Sequence, residues 1–175
     1  MGTPTCHAAE AKVGGIADAV PLVFIVEDDI SVRESIEFLV AESGWRSEVF
    51  GSALEFLACQ RPACPSCLIL DVGLPDVDGL ELQRRIAGSC GEMPIIFITG
   101  RADVRTSVQA MKAGAVEFLT KPFSPQALRD AVSDAVKRSR AFLDMLNRSY
   151  ISRPMTEAGD DSEAPEAPDA PRIIL

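Results

Sequence analysis

Leu22-Val23-Phe24-Ile25-Val26-Glu27-Asp28-Asp29 decides the fold: five consecutive apolar residues end abruptly in three acids. So short an unbroken run of Val, Ile, Leu and Phe reads as a strand buried on both faces, because a strand with one wet face would alternate with polar residues. A second run, Cys67 to Leu70, ends in Asp71. A third, Ile95 to Ile98, ends in Thr99, and a fourth, Val116 to Leu119, is soon followed by Lys121. The polar residues stand where each strand stops, which in open parallel sheets is the ligand-binding edge. Glu27, Asp28 and Asp71 with one hydroxyl and one ammonium at that edge would make a site for Mg²⁺ and a phosphoryl group.

Between these runs the apolar spacing changes to a helical period, so strands and helices alternate. The expectation is an α/β fold, a three-layer doubly wound (βα)5 sandwich around a five-stranded parallel sheet. Ser31-x-x-Glu34 reads as a capping box, followed by an apolar stripe of Val32, Ile36, Leu39 and Val40 that stops near Gly44. Arg46 to Phe50 reads as the second strand, and Ser52 as the cap of a helix carrying Leu54, Phe56 and Leu57. Leu74-Pro75-Asp76 turns the chain into a helix with Leu80, Leu82 and Ile86. Asp103 is the expected cap of a helix through Val108 and Met111 to Gly114, and Ser124-Pro125 starts the last helix.

That last helix keeps its recurrence past the fifth unit, through Phe142, Leu143, Met145 and Leu146, although Ser139 interrupts the stripe. Exposed apolar groups on such an extension call for a covering partner. After Pro154 the chain is rich in Glu, Asp, Ala and Pro, a composition that buries too little surface to fold. The chain therefore divides into a flexible leader over 1–20, the α/β domain over 21–138, a helical extension over 139–152 and a disordered acidic tail over 153–175.

A net charge of −9 over 175 residues argues against nucleic acid as a direct partner, since binding it means neutralising phosphates with basic residues. The apolar stretch within 13–26 is broken by Asp18 and too short to span a bilayer, which excludes a membrane and points to the cytoplasm. Five cysteines, an odd count, suit reduced thiols there. Cys64-x-x-Cys67 has no second pair to complete four zinc ligands, and the single histidine, His7, has no evident role.

Val26-Glu27-Asp28-Asp29, Leu70-Asp71-Val72-Gly73-Leu74-Pro75-Asp76, Ile98-Thr99-Gly100 and Lys121-Pro122-Phe123 together closely resemble the receiver domain of two-component response regulators. The stretch Thr99 to Phe123, with Ala110-Met111-Lys112-Ala113-Gly114-Ala115 inside it, is most similar to the FixJ-type subfamily, whose usual helix-turn-helix output module is not expected here. The resemblance implies a flavodoxin-like fold and a phosphoacceptor, Asp71, served by a sensor histidine kinase or phosphotransfer protein. It further implies Mg²⁺ held by Glu27, Asp28, Asp71 and the Gly73 carbonyl. Lys121, preceding a cis bond to Pro122, would set its ammonium against Asp71 and then against the phosphoryl oxygens, and Thr99 would donate its hydroxyl to the phosphoryl group. Phe118 would be the switch aromatic, while Gly73 and Arg101 would set the lifetime of the acyl phosphate. The expected output is binding of a protein partner or a homodimer through the fourth and fifth helices. A truncated DNA-binding regulator and a phosphate sink are the alternatives, and a Mg²⁺-dependent phosphatase is disfavoured because Gly73 stands where its second acid would be.

Overall fold

Every apolar run forms a strand, and every intervening stripe forms a helix. The computed structural model describes residues 19–62, 64–87, 93–100 and 104–151. The order is β1 (Leu22–Val26), α1 (Ile30–Glu42), β2 (Arg46–Phe50), α2 (Ala53–Ala58), β3 (Ser66–Asp71), α3 (Gly79–Ile86), β4 (Ile95–Thr99), α4 (Val104–Lys112), β5 (Glu117–Thr120) and α5 (Pro125–Ile151). The strands form one parallel sheet in the order β2-β1-β3-β4-β5. The expected leader and tail, Asp103 and Arg101 lie outside the described residues.

Alternation along the central strands builds two cores. Leu22, Phe24, Val26, Leu68, Leu70 and Phe97 pack with Phe56 of α2, Leu82 and Ile86 of α3 and Ala110 of α4. Val23, Ile25, Cys67, Ile69, Ile96 and Ile98 face the other way, against Ile36 and Val40 of α1 and Leu128, Val132 and Val136 of α5. Burial on both faces is why these strands read as unbroken apolar runs.

The boundaries correct the sequence reading in places. Helix α1 is capped by Asp29, whose carboxylate accepts the Val32 N–H at 3.0 Å, so Ser31 lies inside the first turn and its capping box does not form. Strand β5 is shifted by one residue from the expected span, starting at Glu117. Leu54, Val108 and Met111 remain exposed on their helices. Helix α5 is continuous for 27 residues, about 40 Å. Ser139 is buried within it, and its Oγ accepts the Ser66 N–H at 3.0 Å, joining the helix to the start of β3. Cys67 is fully buried, which pushes its thiol up to about 12.

Helix α2 is capped twice, by the adjacent Ser52 and by Asp76 from the β3–α3 turn. Asp76 accepts the Ala53 and Leu54 N–H groups at 3.3 and 2.9 Å. Burial tends to raise the Asp76 carboxyl, but these backbone donors outweigh it and hold the group below its ordinary value. Asp76→Ala is expected to lower stability by about 1 kcal/mol. A depressed carboxyl stabilises the fold above its unfolded pKa and loses that contribution as pH falls through the folded one. The gap between the two urea unfolding curves should therefore close in acid, and a gap constant with pH would contradict the cap.

Candidate functional site

Strand register brings the acids together. Val26 lies beside Leu70, and Asp71 beside Ile98, so Glu27, Asp71 and Thr99 emerge from three adjacent strands at their carboxyl ends. Thr99 lies beside Thr120, which delivers Lys121 to the same edge. The order of strands reverses between β1 and β3, the topological switch point where such sheets open a crevice.

One oxygen from each of Glu27, Asp28 and Asp71 lies within 4.8 Å of the others. Glu27 and Asp71 are buried, whereas Asp28 is exposed. The Lys121 ammonium reaches into this cluster, 2.6 Å from Glu27 Oε2 and 3.5 Å from Asp71 Oδ1. Its shorter ion pair is thus with Glu27, whereas the resemblance set it against Asp71. Burial pushes Glu27 above the ordinary carboxylate value; the Lys121 hydrogen bond opposes that and the Asp71 charge adds to it. Crowded hard oxygens at an accessible edge fit a small divalent cation, whose charge would offset their mutual repulsion.

The backbone holds the flanks. Lys121 N–H donates to the Thr99 carbonyl at 2.7 Å, and the Lys121-Pro122 peptide is cis, as the resemblance implies. A Cβ on Gly73 would lie 3.7 Å from Asp71 Oδ2, so the missing side chain leaves that flank of the carboxylate uncovered. Phe118 is half-buried, its ring centroid 6.3 Å from that of Phe97.

Three contributors escape sequence reasoning. Arg33 Nη1 donates to the Glu27 carbonyl at 2.7 Å, and Asp29 N–H donates to Glu27 Oε1 at 3.3 Å. Gly79 packs directly under Asp71: a Cβ there would lie 2.7 Å from the Asp71 carbonyl oxygen and 3.0 Å from Val72 Cα. Backbone cannot yield as a flexible side chain can. Gly79→Ala is expected to cost about 2–3 kcal/mol, read as a lower urea midpoint with an unchanged slope. A midpoint equal to that of the parent chain would show that the turn accepts a methyl group.

The described cysteines gather no comparable site. Among the described residues, Cys64 and Cys67 are free thiols, and the acid cluster is the one group of metal-ligand type.

Residues 23–133 match the family model for the response regulator receiver domain. Nodulation protein W of Bradyrhizobium diazoefficiens is 50% identical over 119 residues, which cover 68% of this chain and 52% of that protein. Response regulator protein TodT of Pseudomonas putida is 42% identical over 135 residues, covering 77% and 59%. The chain thus spans about half the length of the curated relatives it matches. Among solved structures, FixJ-N superposes with a TM-score of 0.63 at 36% identity, covering 68% of this chain and 95% of that one. Response regulator StyR superposes with a TM-score of 0.65 at 41% identity, covering 77% and 71%. With its parallel sheet, its edge of converging acids and these relatives, the chain belongs to the response regulator receiver domain family.

Proposed function

We propose that Asp71 is the phosphoacceptor of a cytoplasmic two-component phosphorelay, loaded by a histidine kinase or phosphotransfer protein in the presence of Mg²⁺. The observation that carries this reading is the convergence of Glu27, Asp28 and Asp71 oxygens within 4.8 Å, with the Lys121 ammonium 3.5 Å from Asp71. An Asp71 carboxylate oxygen attacks the phosphorus of a phosphohistidine, the P–N bond breaks, and the imidazole leaves with the bonding pair. The product is an acyl phosphate.

Glu27, Asp28, Asp71 and the Gly73 carbonyl would hold the cation, which supplies charge neutralisation for the transferring group. Lys121 contributes a second positive charge and can exchange its Glu27 partner for a phosphoryl oxygen. Thr99 donates its hydroxyl to the phosphoryl group, Phe118 follows its movement, and Gly73 with Arg101 sets access for the attacking water. Output runs through α4, β5 and α5, where Val108, Met111, Met145 and Leu146 are exposed, and takes the form of protein binding or dimerisation. The net charge of −9 supports a protein rather than nucleic acid as the partner.

Incubation with a small acyl-phosphate donor tests the reading. Hydroxylamine-labile phosphate should map to the peptide bearing Asp71 with Mg²⁺ present and be lost with EDTA. Labelling at another residue, or labelling indifferent to Mg²⁺, would overturn it.

A further inference from the structure

Arg33 is the basic side chain that enters the acid loop from α1, and its contact is with backbone rather than carboxylate. Its Nη1 donates to the carbonyl of Glu27, the oxygen of the peptide unit that joins Glu27 to Asp28. That unit is planar and carries the Cα atoms of both residues, so anchoring its oxygen restricts the orientation of the plane from which both acidic residues depart. Lys121 holds the Glu27 carboxylate at 2.6 Å, and two longer bonds flank the Glu27–Asp28 peptide: Glu27 N–H to the Phe50 carbonyl at 3.2 Å and Asp29 N–H to Glu27 Oε1 at 3.3 Å. At 2.7 Å with a charged donor, the Arg33 bond is stronger than either of those two. The same guanidinium borders the β2–α2 turn. A Cβ on Gly51 would lie 3.5 Å from Arg33 Nη1 and 3.6 Å from Glu55 Oε2, which itself accepts the Gly51 N–H at 2.9 Å. Arg33 thus anchors one loop at the carboxyl edge of the sheet and borders a second.

We infer that Arg33 is a positioning residue for the divalent cation, holding the Glu27–Asp28 peptide so that both carboxylates face the ion; this rests on the phosphoacceptor reading of the same site. A charge effect alone predicts the opposite sign. Removing a cation beside three acids would strengthen their attraction for Mg²⁺, whereas losing an orienting partner weakens it.

Calorimetric titration of the full chain with MgCl₂, beside thermal unfolding in EDTA, separates the two. Arg33→Met should bind Mg²⁺ about 10-fold more weakly than the parent chain, and Arg33→Lys, which keeps a charged donor, should fall between them. Unchanged or tighter binding by Arg33→Met would overturn the inference. So would a lower melting temperature in EDTA with the Mg²⁺ affinity of the folded protein unchanged, which is a merely structural role. Should Arg33→Met fail to fold, Arg33→Gln against Arg33→Lys decides the same question: the neutral variant must bind more weakly. A parent chain that does not bind Mg²⁺ would overturn the phosphoacceptor reading and this inference with it, a result distinct from parent and variants binding alike.

Discussion

Asp71→Asn is expected to reduce hydroxylamine-labile phosphate incorporation by more than about 100-fold, because an amide oxygen is a poor nucleophile and no neighbouring oxygen replaces it at the same position. In metal-free buffer the same substitution should stabilise the fold. Glu27, Asp28 and Asp71 place their oxygens within 4.8 Å of one another, and one ammonium, Lys121, serves the two buried acids. Deleting the Asp71 charge relieves repulsion while Lys121 keeps its shorter, 2.6 Å partner in Glu27. A gain of about 1 kcal/mol is the expected scale. Chemistry and stability moving in opposite directions distinguishes a functional carboxylate from a structural one, whose loss would cost both. Persistent labelling of the Asn variant, or a chain destabilised by the change, would remove Asp71 from the proposed role.

What the sequence reveals follows from what depends on the local chain. The runs Leu22 to Val26, Cys67 to Leu70 and Ile95 to Ile98 are apolar because both faces of the central strands are covered, and the change to a polar residue marks the same edge each time. Glu27, Asp71, Thr99 and Lys121 are therefore brought together by strand lengths and register alone. Partners chosen in three dimensions are not legible in this way. Asp29 and Ser31 are both good N-caps, and the turn leaving β1 selects the first. Asp76 reads as a turn residue because the N–H groups it caps lie 22 and 23 residues away. Gly79 looks like an ordinary helix start, since nothing in its neighbours announces the Asp71 carbonyl beneath it. Ser139 interrupts the apolar stripe because its hydroxyl answers a backbone N–H of β3, 73 residues earlier.

Lys121→Met is expected to destabilise the metal-free protein by about 2–4 kcal/mol near neutral pH, through the carboxylate it strands rather than the packing it removes. Glu27 is 1% exposed and the Lys121 side chain 21% exposed, so the acid has little recourse to water once its ammonium is gone. Burial already holds Glu27 above its ordinary value of 4.5, with Asp71 adding to the rise and Lys121 opposing it. Removing Lys121 deletes the opposing contribution and moves the folded pKa further up. A carboxyl raised on folding binds a proton more readily in the native than in the unfolded state. Its effect on stability is therefore most favourable in acid and is lost as pH rises from the unfolded value through the folded one. The difference between variant and parent should be largest at neutral pH and close as pH falls through the raised folded range of Glu27, below which the carboxyl is protonated in both and the ion pair no longer exists. Urea unfolding in EDTA across this range gives the comparison, and differencing the two proteins cancels the acid response of the carboxyls that Lys121 does not contact. A deficit of constant size from acid to neutral pH would mean that Lys121 contributes packing alone and that Glu27 finds its counter-charge elsewhere.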